Sequence, residues 1–421
     1  MLVTKIRAKE IRTMTHDLTT GKPLRDIWQF AVPVLFGLLL QQVYSLVDTA
    51  IVGHALGVMA LGGVGATGSV NFLVIGFCGG LCTGMAIPLA QAFGAGDYRQ
   101  LRRYVAGCVW LGIAMSALLL ALTLPTTRAL LKLMGTPEEQ MGYAYDYIFI
   151  IFIGIPATIL YNMGACVLRS LGDSKSPVWF LAIASVINIV LDPVMIYGLG
   201  PVPELGVAGA AYATVCGQVA AAVITSFGGV GRLPERTKMP LYIKQIYWFG
   251  YASIIMQALF TVYIVILNAI LAGFSDSAVT VLGLYYKMQT FFFIPLMGLQ
   301  TCIVPVLSFN YATKSYARCR EIMRDSYGFS CVFMLVGVIC FVFFPVQLLQ
   351  VFSKSSEVIA IGKNAFPIIG ASFIPAVFSL MTPVFFQAIG NGKISLFLSV
   401  MRQICCLIPI FWLLSLIDLR F

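Results

Sequence analysis

The chain has 421 residues, of which 59% are hydrophobic and only 10% charged. A soluble domain carries roughly 25% charged residues, so composition excludes a water-soluble globule and leaves a polytopic membrane protein. The net charge of +10 invites a nucleic-acid reading, which the placement of the basic residues removes below.

The segment 1–23 is polar and basic and shows no cleavable signal peptide. It is read as a cytoplasmic tail, with Met1 and Met14 as alternative starts. A stretch of about 20 apolar residues spans a bilayer. Eleven such stretches follow, near 25–53, 59–93, 104–124, 142–168, 176–198, 206–228, 242–273, 278–311, 322–345, 359–388 and 394–417. Several are longer than a perpendicular span needs, so they must tilt, bend or leave the lipid. The tail and the even-numbered loops carry most of the Lys and Arg, whereas the odd-numbered loops hold only Arg128, Lys132, Lys354 and Lys363. Basic residues concentrate in cytoplasmic loops, so the N-terminus is expected in the cytoplasm. Topology therefore explains the basic surplus and no nucleic-acid partner is needed.

The second stretch is rich in glycine, at "GGVGATGS" (62–69) and "FCGGLCTG" (77–84). Small residues let membrane helices approach closely. Most of the eleven cysteines lie in apolar stretches, with no CxxC pair, and are read as packing residues. His16 and His54 have no ligand at metal spacing. No Walker loop, HExxH or Ser/His/Asp set is present, so neither an enzyme nor a cofactor is expected.

The chain repeats itself. "PLAQAFGAGDYRQLRR" (88–103) aligns with "PVLSFNYATKSYARCRE" (305–321), and "LRSLGDSKSP" (168–177) with "FQAIGNGKIS" (386–395). Pro88 pairs with Pro305, Pro156 with Pro375 and Gly172 with Gly390, all at nearly the same offset. A near-constant offset means a duplicated unit. Six stretches separate the copies, an even number, so they run parallel about an axis along the membrane normal. The expected fold is all-α, with two parallel-repeat lobes of six and five helices around a central cleft. The expected domains are a tail (1–23), an N-terminal lobe (24–228), a linker (229–241, "GVGRLPERTKMPL") and a C-terminal lobe (242–421). The first copy's last stretch begins near Leu205, so its partner would begin after Phe421; a twelfth helix is expected to be absent.

An ionisable residue deep in a span costs at least about 2.5 kcal/mol and marks a candidate site. Only Asp48 and Asp192 among the acids sit clearly inside spans. Counted from Gly53 and Gly198, both lie roughly 8–9 Å below the outer boundary, at about 1.5 Å per residue. Two acids at one level in one lobe can share a proton or hold a small cation. Tyr44 is four residues before Asp48, and Asn188 four before Asp192, so each shares its acid's helix face. Pro193 cannot donate to the Ile189 carbonyl, which frees another acceptor. Such oxygens suit a proton relay or a hard cation such as Na⁺. Gln41, Gln42, Asn162, Gln257, Lys287 and Arg402 are the polar residues expected to line the cleft. The second lobe has the opposite sign, with Lys287 and Arg402 inside its spans.

These residues resemble the multidrug and toxic compound extrusion family. "FAVPVLFGLLLQQVYSLVDTAIVG" (30–53) is similar to its first helix, "PLAQAFGAGDYRQLRR" to its helix 2–3 junction, "NIVLDPVMIYGLG" (188–200) to its fifth helix and "PVLSFNYATKS" (305–315) to the end of its eighth. The resemblance implies a plasma-membrane antiporter that exports organic cations or drugs in exchange for H⁺ or Na⁺. It places Asp48, Asn188 and Asp192 at the N-lobe cation site. One branch of the family has acids in helices 7 and 10; this chain has none there, with Gln257 the nearest polar residue in the seventh stretch. A lone chain in the bilayer, without cofactor or protein partner, is expected. The competing readings are a flippase for lipid-linked oligosaccharides of the same superfamily and a truncated remnant that transports nothing.

Overall fold

The structure, a computed structural model, describes residues 23–133, 136–200, 202–226, 240–273, 276–350 and 355–416. The tail and most of the linker expected at 229–241 lie outside the described residues. The first lobe contains α1 (Pro23–Gly94), α2 (Tyr98–Leu133), α3 (Glu138–Ile153), α4 (Ile155–Ser170), α5 (Lys175–Tyr197) and α6 (Gly206–Thr225). The second contains α7 (Pro240–Ala272), α8 (Asp276–Ala312), α9 (Tyr316–Phe343), the short α10 (Pro345–Gln350), α11 (Ser356–Ala371), α12 (Phe373–Ala388), α13 (Gly392–Val400), a π-helical stretch (Met401–Leu407) and α14 (Ile408–Leu416). Among the described residues nine helices are long and apolar enough to cross a membrane, and eleven spans result when each of two bent pairs is taken as one.

The bent pairs show the duplication. Between α3 and α4 the axis turns by 48°, and between α11 and α12 by 49°. Pro156 and Pro375 stand just after these two corners. Each lacks the N–H that would continue the preceding helix, so matched prolines set matched bends. The connecting turns repeat too: Gly172 has φ 88° and Gly390 φ 86°.

α1 holds two spans. They join at Gly57, whose φ of 81° and ψ of −176° break the helical path. That conformation is open to glycine and costly for other residues. The first span therefore runs past Gly53, where the sequence placed its end.

α1 packs along α7 and α8, which joins the lobes. The junction lies towards the end of the molecule that carries the basic loops. There Phe93 and Phe309 rings sit 5.6 Å apart and Trp28 meets Phe329 edge-on at 4.8 Å. Cys302 Sγ approaches the Phe30 carbonyl at 3.7 Å. A Cβ on Gly94 would lie 2.7 Å from the Phe309 carbonyl oxygen. One buried apolar cluster runs through both lobes here, whereas three smaller clusters belong to the first lobe alone. Each cysteine is a free thiol.

Candidate functional site

The first lobe gathers its polar side chains at one point. α1 supplies Tyr44 and Asp48, α3 Tyr147, α5 Asn188 and Asp192, and α6 Thr214. α6 can approach α5 because its contact face is made of glycine and alanine. A Cβ on Gly209 would sit 2.5 Å from the Met195 carbonyl oxygen, and one on Gly217 3.0 Å from that of Ala184. Ala210, Ala211 and Ala213 on the same helix are fully buried. Without that close packing Thr214 would stand too far from Asn188.

Asp48 and Asp192 face each other within hydrogen-bonding reach, although they come from different helices. Asn188 Nδ2 donates to Asp192 Oδ1 at 3.4 Å and to Thr214 Oγ1 at 3.3 Å. The Tyr44 and Tyr147 hydroxyls both reach Thr214. One helical turn from Asp48, Asp192 and Thr214, and towards the same end of the lobe, lie Val52, Ile196 and Ala210, all fully buried. They close the cluster on that side.

Asp48 is 7% exposed, Asn188 2% and Asp192 0%. Asp48 Oδ1, Asn188 Oδ1 and Asp192 Oδ2 are buried and have no hydrogen-bond partner. Each buried acceptor left without a donor costs about 1–3 kcal/mol, and two ionised carboxylates so placed would cost several more. The donor set is all oxygen, with an amide beside two carboxylates, which fits a proton or a small hard cation. Among the described residues no group of three or more His, Cys, Asp or Glu could hold a metal ion, so a transition-metal centre is not offered.

Equal helical depth, counted from the chain, is not why the acids meet. The first helix continues to Gly57, which puts Asp48 about 13 Å from its end at 1.5 Å per residue, against about 9 Å for Asp192. The carboxylates converge through the packing of α1 on α5. Thr214 and Tyr147 escaped sequence reasoning. A threonine in "AAYATVCGQ" (210–218) and a tyrosine in an aromatic-rich helix give no local signal.

The other polar residues disperse. Gln41 is exposed, Gln42 and Asn162 are half-buried, and Asn162 Nδ2 donates to the Thr158 carbonyl of its own helix at 2.8 Å. Lys287 is exposed, Arg402 is half-buried within the π-helical stretch, and the Gln257 side chain lies outside the described residues.

Two parallel helical lobes with a buried polar cluster inside one of them have the duplicated architecture of a membrane transporter. The sequence model of the MatE family matches residues 33–194 and again 252–413. The chain belongs to the MatE family, whose members are transporters, and is a multi-pass membrane protein. The two matched segments begin and end at one shared offset, which is the spacing of the repeat described above.

The chain is 25% identical to a Shewanella oneidensis protein named FAD transporter, over 96% of this chain and 90% of the relative. It is 27% identical to Probable multidrug resistance protein YpnP of Bacillus subtilis, over 85% and 82%. It is 24% identical to Multidrug export protein MepA of Staphylococcus saprophyticus, over 87% and 79%. Among solved structures, a MOP superfamily transporter from Pyrococcus furiosus superposes with a TM-score of 0.86 at 24% identity, over 95% of this chain and 91% of that one. An outward-facing multidrug resistance MATE transporter gives 0.87 at 23% identity, over 95% and 91%. These likenesses bear on the fold.

Proposed function

We propose that this protein exports organic solutes of the drug and organic-cation class across the plasma membrane, in exchange for H⁺ or Na⁺. The observation that carries the proposal is the set of orphaned oxygens on Asp48, Asn188 and Asp192, buried in one lobe. Several relatives are named for multidrug export, which supports the cargo class. The relative named FAD transporter shows that cargo differs between relatives of this chain.

In this reading the coupling ion enters the first lobe and bridges Asp48 and Asp192. Asn188 Oδ1 adds a third ligand, and Thr214 holds Asn188 in place. The ion removes the mutual repulsion of the carboxylates, so the lobe that holds it packs differently from the lobe that has lost it. A ligand shifts a two-state equilibrium only by its different affinity for the two states. Ion and solute must therefore bind different states of the cleft, and the lobes rock to alternate access. The lobe contacts at the basic end, among them Phe93 with Phe309, would seal the cytoplasmic side. The N-terminus would lie in the cytoplasm, and a single chain would suffice.

The test is efflux from proteoliposomes loaded with ethidium. An imposed inward H⁺ or Na⁺ gradient should drive export, and Asp192→Asn should abolish it. Gradient-independent ethidium movement, identical in the variant, would overturn the proposal.

A further inference from the structure

The second lobe holds a polar cluster that the coupling site does not use. Arg402 and Gln403 lie in the π-helical stretch Met401–Leu407. Such stretches are rare and occur often at functional sites. Arg402 stands within electrostatic reach of Tyr263 on α7, and the Tyr263 hydroxyl approaches that of Tyr286 on α8. The Tyr285 and Tyr286 rings lie 5.2 Å apart at 45° and make an aromatic wall.

Polar atoms in this cluster go unmatched. Arg402 Nε and Tyr286 Oη are buried without a hydrogen-bond partner of good geometry. Arg402 forms no ion pair with a described carboxylate; the titratable neighbour that acts on it is a phenol. A guanidinium held in apolar surroundings with no counter-charge is costly, and Lys287, next to Tyr286 in the chain, adds positive charge instead of removing it. Arg402, Tyr263, Tyr285 and Tyr286 are each half-buried as whole residues.

The repeat sharpens the contrast. At the offset between the two family matches Tyr263 corresponds to Tyr44, whereas Asp48 and Asp192 correspond to Leu267 and Phe411. Each lobe keeps its tyrosine, but the second exchanges two acids for apolar residues and gains an arginine.

We propose that Arg402, Tyr263 and Tyr286 form an anion site in the second lobe, which takes the phosphate or carboxylate of the transported planar solute. This deepens the transport reading above and rests on it for the word transported. Arg offers a planar fork of N–H donors suited to both oxyanions, and charge-assisted hydrogen bonds of this kind are the strong ones. The Tyr286 hydroxyl would donate to the same anion, and the aromatic wall would stack on the solute's ring. Cargo would then include zwitterionic drugs, whose anionic group is held by this lobe while the coupling cation is held by the other.

The experiment compares naphthyl phosphate with naphthol, which share a ring and differ in the anion. Binding is measured on the intact protein in nanodiscs of zwitterionic lipid. Wild type should prefer the phosphate by about tenfold or more, as expected for one buried charge-assisted contact. Arg402→Gln should bring the preference to near one, and Arg402→Lys should restore part of it. Tyr286→Phe, a milder change, should reduce it if Arg402→Gln fails to fold. Equal binding of both probes by wild type, or a preference unchanged in Arg402→Gln and Tyr286→Phe, would overturn the proposal. A lipid headgroup offers the same chemistry, so the measurement is repeated with phosphatidylglycerol in the disc. Unaltered probe affinity supports a solute site; displacement of the probe by that lipid would overturn it. Asp192→Asn keeps the two readings apart. It should retain the phosphate preference, so loss of ion-driven efflux and loss of anion preference report on different lobes.

Discussion

Tyr44 and Tyr263 occupy the same position in the two repeats and face charges of opposite sign. Tyr44 lies against Asp48 and Asp192, whereas Tyr263 lies against Arg402. In the readings proposed above, the duplicated scaffold would offer one lobe to a cation and the other to an anion.

Asp48→Asn and Asp192→Asn should fold normally and lose ion-driven efflux down to the background leak. Asparagine keeps the shape but removes the charge that a cation or proton must meet, while the cost of burying an ion disappears. Efflux from proteoliposomes at matched protein density checks this. Transport near the wild-type rate in both variants would remove the carboxylates from the mechanism.

Thr214→Ala should weaken coupling-ion affinity by about fivefold, since one hydrogen bond contributes about 1 kcal/mol and about 1.4 kcal/mol is a factor of ten. The bond concerned is the one Thr214 Oγ1 accepts from Asn188 at 3.3 Å. Thr214→Ser should restore the affinity because it keeps the hydroxyl. The ion concentration at half-maximal efflux is the measurement, and equal values for the Ala and Ser variants would count against a positioning role.

Gly209→Ala should lower the unfolding temperature, at a cost of about 1–3 kcal/mol typical of overpacking. Its Cβ would lie 2.5 Å from the Met195 carbonyl oxygen, a backbone atom that cannot swing aside. Gly65→Ala is the control: nothing lies within 4 Å of its Cβ, and alanine is the better helix former. Thermal unfolding in detergent should show a clear drop for the first and none for the second.

Gly94→Val should push the lobes apart at the basic end, because even a Cβ there meets the Phe309 carbonyl oxygen at 2.7 Å. The Cys302 thiol, 1% exposed near Phe30, serves as the reporter. In a background that retains Cys302 alone, Gly94→Val should speed its reaction with a polar thiol reagent several-fold. An unchanged rate in protein that remains folded by size-exclusion chromatography would show that this contact does not gate the cleft.

Much of the fold is legible in the sequence. Apolar stretches of membrane length are set by the bilayer, which requires every backbone group inside it to be satisfied by a helix. The spans therefore follow from composition alone, and the structure places helices on the eleven stretches read from it. The duplication was legible because prolines and turn glycines are local devices: Pro156 and Pro375 bend their helices by 48° and 49° wherever those helices lie. Asp48, Asn188 and Asp192 stood out because a charge or amide amid apolar neighbours is conspicuous in one dimension.

Tertiary structure alone decided which of these residues meet. Helical depth counted from the chain missed the run of the first span to Gly57, yet the carboxylates converge because α1 packs on α5. Thr214 entered the site only when the glycine and alanine face of α6 drew close to α5, and Tyr147 only through the packing of α3. Gln41, Gln42 and Lys287 look as polar in the sequence as the site residues do, and the structure leaves them exposed or half-buried away from that cluster. Helical period and hydrophobicity are local properties carried by neighbouring residues. Which helix faces approach each other depends on side chains distant in sequence, and that information exists only once the lobes have packed.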